Sequence, residues 1–180
     1  MPSPLALALR EHATLSIVGM CKNAGKTTVL NRLLALLADK ARTVALTSIG
    51  RDGERTDVVT GTEKPGVWVR EGTLVATAEG VLRACDITRE ICAVTGVHTP
   101  LGEVVVVRAL SDGFVELAGP SMNDQLVSLG RALRALGAQT VLIDGAISRK
   151  TLAAPAVCDA AILCTGASYH PDLACPPPRP

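Results

Sequence analysis

Aromatic side chains and excess charge are both scarce in this chain of 180 residues. It has one Phe, one Trp and one Tyr, at Phe114, Trp68 and Tyr169. Its 18 Lys and Arg nearly balance its 17 Asp and Glu, so the formal net charge is +1. Nucleic acids are held by clustered cations, and single strands also by stacking on aromatic rings. The composition therefore predicts no nucleic-acid partner.

Long apolar runs are lacking as well. No stretch reaches the roughly 20 apolar residues that a membrane-spanning helix requires. The opening "MPSPLALALREHATL" has no basic n-region, and its apolar run is broken by Arg10, Glu11 and His12. We therefore expect no signal peptide and no membrane contact, and a cytoplasmic location.

Paired cysteines and paired histidines are also missing. Six cysteines occur, yet none forms a C-x-x-C pair of the kind found in zinc sites and thioredoxin-like redox motifs. Scattered thiols of this kind are typical of small buried side chains in a reducing compartment. Cys21 lies in a glycine-containing loop whose amides and lysines favour a lowered pKa, but a filler role is the preferred interpretation. The three histidines are far apart in the sequence and are given no metal role.

The chain does contain enough apolar residues to form a hydrophobic core. Hydrophobic residues make up 48% and charged residues 19%, which predicts one globular domain. We assign that domain to residues 1–170. The remaining 171–180 hold "CPPPRP", which continues neither helix nor sheet and is expected to be disordered.

Strand and helix patterns alternate along the sequence. The runs "LSIVG" (15–19) and "TVALTSIG" (43–50) predict buried parallel strands. Between them "KTTVLNRLLALLADK" has an apolar helical face, formed by Val29, Leu30, Leu33, Leu34 and Leu37. Two later runs, "TVLIDGA" (140–146) and "DAAILCTGA" (159–167), predict further buried strands.

The pattern in the middle of the chain predicts hairpins followed by a helix. "GVWVREGTLVATAEG" predicts two short strands that turn at Glu71-Gly72, and "LGEVVVVRALSDGFVELAGP" predicts a hairpin with its turn at Ser111–Gly113. In "SMNDQLVSLGRALRALGA", Ser121 is the expected N-cap and Gly137 the expected stop. The predicted fold class is α/β, a parallel sheet flanked by helices as in P-loop NTPases, with a β-hairpin insertion in the middle.

The stretch "GMCKNAGKTT" carries the strongest chemical signal. It fits G-x-x-x-x-G-K-[ST] at Gly19, Gly25, Lys26 and Thr27, between a predicted strand and a predicted helix. Such a loop wraps phosphates in backbone N–H groups, its lysine reaches the β- and γ-phosphates, and its hydroxyl binds Mg²⁺. The predicted nucleotide-binding residues are Gly19, Lys22, Asn23, Ala24, Gly25, Lys26, Thr27 and Thr28. Lys22 fits a phosphate contact and a solvated side chain equally well.

Two aspartates are candidate partners of this loop. Asp144 ends the strand-like run "VLID", which is the Walker B layout, although an Asp-Gly turn is the alternative. Asp52 follows the second strand and would position water or bind the metal, with a plain surface turn as the alternative. The predicted catalytic residues are Lys26, Asp52 and Asp144, and the predicted metal ligands are Thr27, Asp144 and Asp52.

Further polar segments are expected around the same site. These are "VTGTEKPG", "HTPLGE", "AGPSMND" and "DGAISRK", in which Arg149 and Lys150 are either phosphate contacts or solvated. No N-K-x-D or T-K-x-D follows "AILCTGA", which favours ATP over GTP. The expected cofactors are ATP and Mg²⁺.

Several long segments together resemble a known family. They are "GMCKNAGKT", "LTSIGRDGE", "TGTEKPG", "TPLGEVVVVRALSDGFVELAGPSMN" and "DGAISRK". The chain resembles, from 15 to 168, the small P-loop proteins encoded beside lysine 5,6-aminomutase in lysine-fermenting bacteria. At the fold level it is also similar to dethiobiotin-synthetase-like P-loop proteins. Family members would continue with at least one more helix after the last strand, so no residue is assigned to the adenine base.

The resemblance implies a function that the residues alone do not. Those proteins are described as a subunit of the aminomutase reactivase, which spends ATP on exchanging damaged cobalamin. The implied partners are the aminomutase, which holds the adenosylcobalamin and pyridoxal phosphate, and a companion reactivase subunit. A small-molecule ATP-dependent kinase or ligase of the dethiobiotin-synthetase type and a non-catalytic nucleotide-binding module remain alternatives. The oligomeric state stays open, a homo-oligomer included.

Overall fold

The computed structural model describes residues 3–21, 23–38, 42–50, 66–145 and 156–165. Several sequence predictions lie outside these ranges: the tail 171–180, Lys22, Asp52, Arg149 and Lys150. In chain order the described residues form α1 (Pro4–Glu11), β1 (Thr14–Gly19), α2 (Lys26–Ala38), β2 (Val44–Ser48), β3 (Val67–Val69), β4 (Leu74–Ala78), a 3₁₀ helix (Glu79–Ala84), β5 (Arg89–Thr99), β6 (Gly102–Ala109), β7 (Gly113–Val115), α3 (Asn123–Ala135), β8 (Thr140–Asp144) and β9 (Ala160–Cys164).

The main sheet has seven strands in the order β5-β6-β4-β2-β8-β1-β9. The five strands from β4 to β9 in that order run parallel, whereas β6 is antiparallel to both β4 and β5. Every residue of β2, β4 and β8 is buried, as expected for strands covered on both faces. The predicted α/β class is therefore confirmed, and the sheet, which was predicted to be parallel, is mostly parallel with antiparallel pairs at β6.

Helices cover both faces of the sheet. On one face α1 and α2 pack with Leu9, Leu30, Leu33 and Leu37 against side chains of β1, β2 and β8. On the other face α3 packs its buried leucines against Ala45, Ile143 and their neighbours. The element α1 was not predicted from the sequence. No helix among the described residues is long and apolar enough to cross a bilayer.

The predicted hairpins are wrong in their pairing. The turn at 111–113 does not fold β6 onto β7, because β6 pairs with β4 and β5 while β7 pairs with β3. The turn at Glu71-Gly72 is present, with Gly72 at a φ of 85°, but β3 and β4 belong to different sheets. The hairpin in the middle of the chain is instead formed by β5 and β6, with its turn at 100–101. A turn signal is local, whereas pairing depends on which strand can be buried on both faces.

Two further details differ from the prediction. The N-cap of α3 is Met122 rather than Ser121, and Met122 makes no side-chain capping hydrogen bond. The strand β9 is an edge strand, not a fully buried one, and Leu163 on it is 61% exposed. An apolar run alone cannot distinguish a central strand from an edge strand. The predicted stop at Gly137 is confirmed, since its φ is 98° and its N–H bonds the Arg134 carbonyl at 2.9 Å.

Candidate functional site

The carboxyl ends of the parallel strands meet at one edge of the sheet. The last residues of β1, β2, β8 and β9 are Gly19, Ser48, Asp144 and Cys164. The register pairs Ser48 with Asp144, and Gly19 with Cys164. Ligands of open α/β sheets bind outside this edge. The sequence-predicted loop therefore begins where such a site is expected.

The loop between β1 and α2 turns back tightly onto the helix start. Asn23 and Gly25 have left-handed φ values of 59° and 82°, a conformation that glycine and asparagine tolerate best. The Met20 N–H donates to the Cys164 carbonyl at 3.0 Å, and the Val29 N–H donates to the Gly25 carbonyl at 2.9 Å. These bonds fix the loop between the end of β9 and the first turn of α2, whose N-terminus carries partial positive charge.

The side chain of Lys26 lies along Gly19. A Cβ atom placed on Gly19 would be 3.0 Å from both Cγ and Cδ of Lys26, closer than ordinary van der Waals contact. Glycine at this position therefore allows the first lysine of α2 to fold back over the end of β1. This contact brings the charge of Lys26 to the carboxyl edge of the sheet.

Asp144 lies on the strand next to the loop. Its neighbour Gly145 donates an N–H to the Ile17 carbonyl at 2.8 Å, and Ile49 donates an N–H to the Asp144 carbonyl at 3.0 Å. The backbone of Asp144 is thus held between β1 and β2. The residue is only 9% exposed, and a carboxylate so deeply placed is expected at a functional edge more often than in a surface turn.

Cys164, at the end of β9, has a pKa that is influenced by both Lys26 and Asp144. From the sequence it was interpreted only as a buried thiol. Burial raises the pKa of this thiol, the Lys26 ammonium lowers it, and the Asp144 carboxylate raises it. The pKa of one thiol at the end of β9 is therefore influenced by both charges. The signal that could have identified Cys164 is its position at the tip of a parallel strand beside the loop.

A second segment reaches the same edge from the middle of the chain. We call residues 116–120 the strap. Ala118 pairs with β4, its carbonyl accepting the Ala78 N–H at 2.8 Å and its N–H donating to Thr77 Oγ1 at 2.8 Å. Gly119 and Pro120 continue onto the end of β2. The strap covers the carboxyl ends of β4 and β2 and belongs in part to "AGPSMND", a segment the sequence placed at this edge.

The structure brings most of the predicted site residues together. Gly19, Asn23, Ala24, Gly25, Lys26, Thr27 and Thr28 form the loop and the helix start, with Asp144 on the adjacent strand. "HTPLGE" also lies at this edge, but beyond β4. Within the described ranges no group of three or more His, Cys, Asp or Glu is placed to hold a metal ion. A scan against protein-family models matches no family, and searches of curated proteins and of solved structures return no match.

Proposed function

We propose that the protein is a P-loop ATPase that binds ATP and Mg²⁺ at the Gly19–Thr28 loop. The observation that carries the proposal is Lys26, folded over Gly19 at the first turn of α2, with Asp144 at the tip of the neighbouring strand. A strand, a tight loop with left-handed residues, a helix that starts at the lysine and an adjacent carboxylate form a combination suited to a triphosphate.

Each residue has a defined task in this proposal. The loop amides and the start of α2 hold phosphate oxygens, and Lys26 offsets their charge. Thr27 and Asp144 offer a hydroxyl and a carboxylate, the oxygen donors that Mg²⁺ prefers, with phosphate oxygens and water completing its shell. Bound Mg²⁺ would neutralise charge that builds on the phosphates during hydrolysis. Asp52 is the proposed water-positioning residue and lies outside the described ranges.

The purpose of hydrolysis is proposed from the family resemblance. We infer a reactivase subunit that, with a companion subunit, drives ATP-dependent exchange of damaged cobalamin in an adenosylcobalamin-dependent aminomutase. The strap favours this over a small-molecule kinase or ligase, because it occupies the tips of β4 and β2, where a second substrate would otherwise approach the phosphates. A protein partner needs no such pocket.

Titration calorimetry with Mg-ATP tests the nucleotide site. We expect Lys26→Ala to weaken binding by about 100-fold or more, because the loop loses its phosphate-contacting cation. Arg32→Ala, an exposed cation on the same helix, is the matched control and should bind as the wild type does. Equal affinities for wild type and Lys26→Ala would refute the proposal, and parallel titration with GTP tests the expected base preference.

The reactivase role has its own test. Turnover-inactivated lysine 5,6-aminomutase is incubated with the protein, its companion subunit, ATP, Mg²⁺ and fresh adenosylcobalamin, and mutase activity is followed. Recovery that requires ATP and is lost with Lys26→Ala is the expected result. Failure to recover, with ATP binding intact, would leave the nucleotide site standing and reject the reactivase role. ATP turnover that is stimulated by a metabolite instead would favour the kinase or ligase.

A further inference from the structure

We propose that Ser48 is a positioning residue of the nucleotide site. The proposal rests on the proposed ATPase function and identifies a side chain that the motif does not include. Ser48 is the last residue of β2 and the register partner of Asp144 on β8. It is therefore the immediate neighbour, across the sheet, of the proposed metal-side carboxylate. Its 0% exposure excludes a role at the surface.

The Ser48 hydroxyl holds two backbone groups at once. It donates to the Gly50 carbonyl at 2.9 Å and accepts from the Gly119 N–H at 3.0 Å. Gly50 in turn donates its N–H to the Pro120 carbonyl at 2.8 Å, and its carbonyl also receives the Gly119 N–H at 3.2 Å. One hydroxyl thus joins the end of β2 to the strap through a closed set of hydrogen bonds.

The close fit of the strap makes this arrangement specific. A Cβ atom on Gly119 would overlap the carbonyl oxygen of Ser48, so the two backbones approach as only glycine permits. Gly50 has a φ of 64°, a left-handed turn that sets the direction in which the chain leaves β2. Because hydrogen bonds determine this turn, the Ser48 hydroxyl fixes the chain direction directly beside Asp144.

A second serine in the same sheet shows that burial alone does not explain the role of Ser48. Ser16 on β1 is also 0% exposed, and within the described residues its hydroxyl has no hydrogen-bond partner. The sheet therefore tolerates a buried serine, Ser16, whose hydroxyl makes no hydrogen bond to the described residues. The two positions differ in what the hydroxyl contacts, which makes Ser16 a matched control for Ser48.

The expected consequence is selective for the metal. Ser48 lies on the β2 side of Asp144, whereas the phosphate loop lies on the β1 side. Removing the hydroxyl takes away two of the hydrogen bonds that hold the end of β2 to the strap beside Asp144 and loosens both segments, while Gly19 and Lys26 keep their contacts. We therefore expect the Mg²⁺ requirement to change and the grip on the phosphates to remain.

The experiment measures ATP turnover against Mg²⁺ concentration, and Mg²⁺-free ATP binding, for wild type, Ser48→Ala and Ser16→Ala. We expect Ser48→Ala to raise the half-saturating Mg²⁺ concentration about tenfold, with Mg²⁺-free ATP affinity within about twofold of wild type. Ser16→Ala should match the wild type in both. Amide hydrogen exchange provides a second readout, in which the Gly50 and Gly119 amides exchange faster in Ser48→Ala only.

The outcomes separate this inference from the function on which it rests. If wild type binds Mg-ATP but both serine variants behave alike, the positioning role is wrong and the nucleotide site stands. The positioning role would also be wrong if Ser48→Ala weakened Mg²⁺-free ATP binding by the same factor as it raised the half-saturating Mg²⁺ concentration. A general structural role of Ser48 would then explain both changes. If wild type binds no ATP at all, the proposed function and this inference both fall.

Discussion

The two sides of the main sheet differ in how their strands pair. On one side β1, β8 and β9 are parallel and lie beside the proposed phosphate-binding loop, and each is formed by a short apolar run of the sequence. On the other side β4, β5 and β6 are joined by antiparallel pairs, and a separate ribbon of β3 and β7 packs beside α2. The first side carries the proposed chemistry, and the second places the strap over the tips of β4 and β2.

The difference shows which property of a sequence determines which property of a fold. On the loop side, glycine-closed apolar runs define both the strand and the direction in which it ends. On the other side, strand identity follows from local pattern but partner choice does not. Trp68 and Phe114 illustrate this, because they form a cross-strand aromatic pair with ring centroids 4.7 Å apart although some 45 residues separate them.

The largest expected effect comes from Gly119→Ala in the strap. The added Cβ overlaps the Ser48 carbonyl, so the strap must leave β2, and we expect the free energy of unfolding to fall by about 3 kcal/mol. Urea denaturation measures this. Gly130→Ala in α3 is the control, since its Cβ meets only Arg134 Nη1 at 4.0 Å and should stabilise by about 0.5–1 kcal/mol. Similar values for the two variants would show that the strap is not a tightly packed element.

A smaller effect is expected at the ribbon. The Asn31 side chain on α2 donates to the Gly66 carbonyl at 2.9 Å and accepts the Trp68 N–H at 3.0 Å. Asn31→Ala removes both bonds and should cost about 1–2 kcal/mol of stability. Because Trp68 is the one tryptophan in the chain, its fluorescence should shift to the red before the rest of the protein unfolds.

Arg32→Ala, on the exposed side of the same helix turn, is the control for that shift. ATP affinity should stay within about twofold in both variants, since neither touches the loop. A loss of ATP affinity in Asn31→Ala as large as in Lys26→Ala would mean that ribbon and loop are one functional unit, and the comparison would fail.

The smallest expected effect is a change in the reactivity of Cys164. Its pKa is raised above the ordinary 9.0 by burial, and is lowered by Lys26 and raised by Asp144. Removing the ammonium in Lys26→Ala raises the pKa further and leaves less thiolate, so alkylation by iodoacetamide at mildly alkaline pH should slow several-fold. Asp144→Asn should have the opposite effect.

Mass spectrometry of the modified cysteines gives both rates in one sample. Cys158 is the internal control, because burial and Asp159 raise its pKa and no effect of Lys26 acts on it. Parallel changes at Cys158 and Cys164 would indicate general loosening of the fold. Opposite changes at Cys164 in the two variants, with Cys158 constant, are the expected result.

The loop side of the fold could be predicted from the sequence in most respects. The apolar runs give β1, β2 and β8, and the helical face of α2 buries Leu30, Leu33 and Leu37 as expected. What could not be predicted were contacts between distant segments. No local pattern connects Gly119 to Ser48, and their hydrogen bond spans 71 residues.

The residues of the proposed site likewise fall into those that a local pattern predicts and those that depend on contacts between distant segments. Lys26 and Gly19 were predictable because a motif fixes their spacing. Asp144 was predictable because its strand has the same form as the first. Cys164 and Ser48 were not predicted. The roles proposed for a thiol and a hydroxyl at strand ends depend on which strands lie next to them, and the sequence does not show the strand order.

The order of the strands also determines when the proposed nucleotide site can form during synthesis. The strand that leads into the loop leaves the ribosome before its two neighbours in the sheet, β8 and β9, which are the last described strands. The N–H of its first residue, Thr14, donates to Asp159 Oδ2 in a hydrogen bond that spans 145 residues. A nascent chain therefore carries the loop without its supporting strands until β8 and β9 have been made, and the proposed ATP binding is expected only after β9 has emerged.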